Sequence, residues 1–228
     1  NVDLTVANGE NSAEGNGILP ASAQTLFDGG VDIITLGNHA LRRREIYPLL
    51  EEREDIIRPA NFHPTAPGRG LCIYDCPGKP RVAVLSLNGS SYMDFTYANP
   101  FETADRLLEG LDAPIVLVDF HAEVTSEKLC MGFYLDGRVS AVAGTHTHVQ
   151  TADERILPGG TGYITDLGMC GSFNSVLGVR PELALHRFLT SLPTRFENDP
   201  GYCRLSGILL EIEDSTGKTT KITRVNVE

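Results

Sequence analysis

What this sequence of 228 residues has little of is positive charge: 19 Lys and Arg stand against 30 Asp and Glu, a formal net charge of −11. That shortage argues against a general nucleic-acid-binding surface, which is ordinarily basic. It leaves room for a small anionic ligand held by metal ions, because local charge decides such binding. No apolar run approaches ~18 residues, so nothing reads as a membrane span, and nothing reads as a secretory leader. Five cysteines (72, 76, 130, 170, 203) form no C-x-x-C pair and no zinc-ribbon spacing. They are expected to be reduced, structural thiols in a cytoplasmic protein. A G-x-x-x-x-G-K-[ST] phosphate loop and a G-x-S-x-G elbow are also missing, and "GNG" at 15–17 is a fragment of a dinucleotide fingerprint. Repeats, low-complexity tracts and linkers are absent too. One domain over residues 1–228 is therefore expected, with a single substantial core.

What is there is an alternation of short apolar β-rich runs with helical patterns. "VDLTVA" at 2–7 and "VDIITLG" read as strands. "PASAQTLFDGG" between them reads as a helix started by Pro20 and stopped by Gly29–Gly30. "RRREIYPLLEERE" is an amphipathic helix interrupted or started late by Pro48. "LCIYDC" and "RVAVLSL" flank the turn "PGKP" as two strands. "ETADRLLEGL" is helical and "PIVLVDF" a strand. "TSEKLCMGFYLDG" opens with a capping-box pattern, Thr125/Ser126 before Glu127/Lys128. "RVSAVAG" and "TGYITDLG" are strands, "PELALHRFLTSL" a helix, and "SGILLEIED" with "TTKITRVNV" a hairpin around "STGK". The mixture predicts a layered α/β fold with some antiparallel pairing.

Four polar clusters sit just past predicted strands: Asn8, Glu10 and Asn11 in "NGEN"; Gly37, Asn38 and His39 in "GNH"; His121 and Glu123 in "FHAE"; His146 and His148 in "GTHTH". In open α/β sheets ligands bind outside the carboxyl ends of the strands, so four such clusters would converge. The H-x-H pair puts two imidazoles on one face if the segment stays extended, and imidazole is a common metal ligand. Taken alone, each cluster reads more readily as structural: Glu10 as a solvated loop acid, Asn38 as a turn residue, His39 as a helix cap and His121 as a satisfied core histidine. Four of six histidines at strand ends favour the joint reading, whereas His63 in a loop and His186 on a helix read as structural. One carboxylate, one amide and several imidazoles suit iron, manganese or zinc with open positions for substrate. A carboxylate shared by two ions ~3.5–4 Å apart is the architecture of two-metal hydrolases acting on phosphate esters. The rival H-x-H setting, an amidohydrolase barrel, places the pair on its first strand; here too little chain follows residue 146 for a barrel of ~250 residues.

"ANGENSAEGNGI", "GVDIITLGNH", "VDFHAEVTSEK" and, most specifically, the segment from Asp136 to Met169 closely resemble the bacterial YmdB-type metallophosphoesterases over nearly the whole chain. The resemblance implies a calcineurin-like four-layer αββα sandwich and a dinuclear Fe/Mn-type centre, with zinc an alternative. It also implies hydrolysis of cyclic nucleotides such as 2′,3′-cAMP. By position, Glu10 corresponds to the carboxylate bridging both metals, Asn38, His121 and His146 to ligands of the second metal, and His148 to a ligand of the first. Asn11 would line the substrate site, and His39 would be the catalytic residue that protonates the leaving oxygen or steadies the phosphate. There are two departures from the family pattern. Its first strand, ending in a G-D-x-x-G turn with a metal-binding Asp, has no counterpart here, so a truncated domain is expected. "GNHALRRRE" also replaces a Trp-Asp pair. The competing reading is a catalytically weak homologue that binds metal or nucleotide as a regulator. Expected partners are a small phosphodiester and possible further copies of the chain, with no membrane involved.

Overall fold

In the computed structural model, which describes residues 2–94 and 96–228, the opening apolar stretch yields a short strand, β1 (Val6–Asn8). Helix α1 (Pro20–Asp28) is bracketed as the sequence predicts. Pro20 sits in the first turn, where a missing N–H costs nothing, and Gly30 leaves the helix at a left-handed φ of 90°. Strand β2 (Ile33–Thr35) follows. A 3-10 turn (Arg44–Ile46) then runs into helix α2 (Tyr47–Glu52), so the helix starts late, with Pro48 in its first turn. The two-residue strand β3 (Ile56–Ile57) completes a parallel sheet in the order β1-β2-β3.

The second sheet begins with β4 (Leu71–Tyr74) and β5 (Val82–Asn88), antiparallel around "PGKP". Then come α3 (Pro100–Leu108), β6 (Ile115–His121), α4 (Thr125–Tyr134), β7 (Ala141–Thr145), β8 (Arg155–Ile156) and β9 (Gly162–Ile164). Its order is β4-β5-β6-β7-β9-β8, with β5, β6, β7 and β9 parallel and both edge strands antiparallel. After β10 (Gly171–Ser172) and α5 (Pro181–Thr190), the chain closes in the predicted hairpin of β11 (Cys203–Ile212) and β12 (Thr219–Val227). The expected capping box at α4 does not form: Val124 occupies the N-cap with no side-chain cap. Glu127 instead accepts hydrogen bonds from the Ser90 N–H (2.8 Å) and Oγ (2.6 Å), partners from another loop that outcompete the local turn.

Strand alternation sorts the apolar residues into three cores. Ile34 and Ile56 face Ile18, Ile46 and Leu50 on the helical side of the first sheet. Ile33 and Ile57 face Val82, Val84 and Ile115 of the second sheet. On the far side of the second sheet, Leu85, Leu87, Val118 and Phe120 pack with Met131 of α4 and Tyr163. Strands covered on both faces must read as continuous apolar runs, which is why "RVAVLSL" and "PIVLVDF" lack polar alternation. Each wholly buried Ile or Leu contributes about 1.5–3 kcal/mol. All five cysteines are free, and burial pushes the Cys72 thiol up to about 11. Among the described residues no helix is long and apolar enough to cross a membrane.

Candidate metal centre

Asn8, Thr35, His121 and Thr145 are the last residues of β1, β2, β6 and β7, so strand ends from both sheets meet at one place. Beneath them lies Asp119, two residues before His121 on the same face of β6. Its Oδ2 accepts from Thr35 Oγ1 (2.5 Å) and Asn8 Nδ2 (2.8 Å), and its Oδ1 from Thr145 Oγ1 (2.6 Å). Asp119 thereby pins the two sheets together. Burial pushes its pKa up, against the opposing pull of His121 and these three donors.

Four lone-pair groups converge above this pin. His121 Nε2 lies 2.8 Å from Glu10 Oε2, 3.0 Å from Asn38 Oδ1 and 3.1 Å from His146 Nδ1. One N–H can serve at most one of those three neighbours. The tautomer removes even that one: Thr145 gives its only hydroxyl proton to Asp119, so toward His121 Nδ1 (2.9 Å) it can only accept. His121 then carries its proton on Nδ1 and presents a bare Nε2. Glu123 Oε2, 3.0 Å from His146 Nε2, favours the proton on that nitrogen and leaves His146 Nδ1 bare as well. Glu10 Oε1 accepts the His39 N–H at 2.5 Å, while Oε2 is buried and accepts no hydrogen bond.

A knot of lone pairs without protons calls for a cation, and the residues present fit a divalent metal. Ligands ~2.1 Å from an octahedral ion stand about 3.0 Å apart along its edges, and the contacts here span 2.8–3.1 Å. Among the described residues no three His, Cys, Asp or Glu side chains form a ready-made cage; the donors touch pairwise and one of them is an amide. Gly37 makes the close approach possible. A Cβ there would lie 1.7 Å from Glu10 Oε2 and 2.3 Å from His121 Nε2.

The protonation preferences suit ligation. Burial alone would raise the Glu10 pKa, but the net shift is down, with the His39 N–H bond to Oε1 among its causes. Burial lowers His146, helped by His121, and also lowers His148. Both therefore stay neutral; His146 presents a bare Nδ1, while the Nε2 lone pair of His148 is taken by Asn11 Nδ2. His39 is lowered too, first by burial and then by Arg42, with Glu10 opposing.

His146 and His148 do not converge in the way an extended strand would bring them together. The strand ends at Thr145, and both histidines adopt left-handed backbone, with φ of 101° and 67°. Such conformations are costly for non-glycine residues and concentrate at functional sites. His148 stands to one side of the knot. Its Nε2 accepts from Asn11 Nδ2 (3.2 Å), its Nδ1 is buried without a partner, and Asn11 Oδ1 faces His39 Nδ1 at 3.1 Å. Asn11 thus bridges His39 and His148. His63 bonds Thr65 and packs edge-on against Tyr97, and exposed His186 bonds Thr194; neither enters the site. Sequence reasoning missed Asp119 and Asp166, although an acid inside or just past an apolar strand is a signal, because a buried charge has to be partnered.

A family model described as YmdB-like protein matches residues 1–225. The chain is 45% identical to a Bacillus subtilis (strain 168) protein named 2′,3′-cyclic-nucleotide 2′-phosphodiesterase, over 97% of this chain and 84% of that one. It is 36% identical to a Mycoplasma pneumoniae protein named putative phosphatase/phosphodiesterase, over 99% of this chain and 82% of the relative. Among solved structures, a hypothetical protein from Thermus thermophilus superposes with a TM-score of 0.93 at 43% identity, covering 99% of this chain and 87% of that one. A structure described as a novel phosphatase from Mycoplasma pneumoniae gives 0.92 at 34% identity, covering 99% and 82%.

Proposed function

Because the chain belongs to the YmdB-like protein family, we propose that it is a metal-dependent phosphodiesterase that opens 2′,3′-cyclic nucleotides at the 2′ ester. The observation that carries this reading is the convergence of three lone-pair donors, Glu10 Oε2, Asn38 Oδ1 and His146 Nδ1, on a fourth, His121 Nε2. Glu10, Asn38, His121 and His146 would hold one ion, and Glu10 with His148 would hold a second. When bound, two ions of iron, manganese or zinc supply positive charge for the phosphoryl oxygens and acidify the attacking water. His39 sits at the rim, with its Nδ1 turned to Asn11, and gives a proton to the departing ribose oxygen. Asn11 keeps the ring aimed and borders the bound phosphate.

The three cores support reading residues 1–228 as one domain, a four-layer αββα sandwich whose central seam is the packing of the two sheets. The test is to load the purified chain with Mn²⁺ or Fe²⁺, supply 2′,3′-cyclic AMP and separate the two monophosphate products. The 3′-monophosphate should dominate, and chelation should abolish its formation. Turnover unaffected by complete metal removal, or no turnover by chain carrying two ions, would overturn the proposal.

A further inference from the structure

The turn that carries both site histidines is gripped by a buried charge pair. Lys128 of α4 and Asp166, just past β9, each have side chains 1% exposed, and Lys128 Nζ lies 2.7 Å from Asp166 Oδ2. The same oxygen accepts both the N–H (3.0 Å) and the Oγ1 (2.7 Å) of Thr147, the residue between His146 and His148. Asp166 Oδ1 accepts the Gly168 N–H at 2.9 Å. Backbone bonds extend the grip on either side, from Leu167 N–H to Gly144 O (2.9 Å) and from Met169 N–H to His148 O (3.1 Å).

Stability alone gives no reason for this pair, since a buried ion pair is often no more stabilising than apolar residues of the same size. What it does supply is a fixed point with direction. Two left-handed histidines in one turn have to be imposed from outside, because neither residue prefers that backbone. We infer that Asp166, with its charge held in place by Lys128, is the positioning residue that imposes the turn and aims His146 and His148 at the metal position. The inference rests on the metal reading of the site. Its chemistry is that of outer-shell groups, which fix the orientation of ligands without touching the ion.

The test compares Lys128→Met, Asp166→Asn and the double variant in the full chain. Mn²⁺ binding is followed by calorimetry, folding by thermal unfolding, and the Thr147 amide by hydrogen exchange. Each single variant leaves one buried group unpaired and should unfold at lower temperature; the double variant, with no charge left, should recover most of that loss. Mn²⁺ affinity should nevertheless remain at least tenfold weaker in the double variant, because the Asn side chain cannot accept all of the donors that Asp166 does. A double variant with wild-type unfolding and Mn²⁺ affinity within twofold of wild type would overturn the inference. Thr147→Val covers the case in which the double variant fails to fold: it keeps the charge pair and should weaken Mn²⁺ binding at an unchanged unfolding temperature, and unaltered binding would count against the inference. The Thr147 amide reads the clamp without any metal. Its exchange should accelerate in Asp166→Asn while the amides of β6 keep their protection, and unchanged protection overturns the inference. Wild-type protein that takes up no Mn²⁺ while Thr147 loses protection as described would instead count against the metal reading alone.

Discussion

Gly37→Ala places one methyl group where Glu10 and His121 meet. The added carbon would stand 1.7 Å from Glu10 Oε2 and 2.3 Å from His121 Nε2. Unstrained contacts between non-bonded heavy atoms lie near 3.5 Å, so the carboxylate has to retreat by roughly 1.8 Å. Metal–ligand distances tolerate only about ±0.2 Å, so the shift is several times too large for Glu10 to remain a ligand. Gly37 does not use left-handed backbone, so alanine adds bulk there without adding backbone strain. Overpacking of this kind costs about 1–3 kcal/mol, which in a domain this size lowers the melting temperature by roughly 2–4 °C per kcal/mol. The variant should therefore stay folded, lose bound metal and lose turnover by at least ~10²-fold, the scale of removing one strong electrostatic contribution to catalysis. Elemental analysis of desalted protein, turnover and a melting curve measured with chelator present separate these effects. Gly207→Ala, which meets nothing within 4 Å, is the matched control. A folded Gly37→Ala protein with wild-type metal content and rate would refute the argument that this gap exists for the ion.

Three further outcomes follow from the same geometry. His39→Ala should keep its metal and lose rate by ~10²–10⁴ on ribose esters, but far less on nitrophenyl esters, whose leaving group needs no proton; equal losses on both would remove His39 from the acid role. Asp119 binds its proton more tightly folded than unfolded, so its contribution to stability is complete below the ordinary carboxylate range and is lost as pH rises through its raised folded value. The stability gap between wild type and Asp119→Asn should accordingly narrow with rising pH through that window, and a gap independent of pH would contradict the raised pKa. Adding Mn²⁺ to metal-free protein should raise thermal stability by about 2.7 kcal/mol at a hundredfold excess over Kd; a melting curve indifferent to Mn²⁺ would show that the lone-pair knot needs no cation.

Much of the fold was legible because its signals are local. Pro20 and Gly29 bound α1, "PGKP" turns β4 into β5, and the unbroken apolar runs of β5 and β6 announce strands covered on both faces. Strands β3, β8 and β10 are two residues long, too short for any periodicity to mark them. The capping box at α4 was misread because Glu127 found Ser90, a partner 37 residues away that no local pattern contains. The site was partly visible. Strand-end histidines flagged the edge where His121 and His146 meet, yet His146 and His148 are two left-handed residues rather than part of an extended alternation. The supports, Asp119 and Asp166, act through contacts at separations of 26 to 111 residues and 19 to 38 residues respectively.

The way the site divides between the sheets has a consequence for the order of events in folding. Glu10, Asn11, Asn38 and His39 follow strands of the first sheet, while His121, His146 and His148 lie at or just past the ends of strands of the second. The contacts that join them span 83 residues from Asn38 to His121 and 137 from Asn11 to His148. Loops that long close late, after local hairpins and helices have formed. During synthesis, Glu10 therefore waits without His121 until the ribosome has passed residue 121, and the turn that carries His146 and His148 waits for Asp166. The site is assembled only where the two sheets dock, so its geometry is set by the packing between sheets and not within either one.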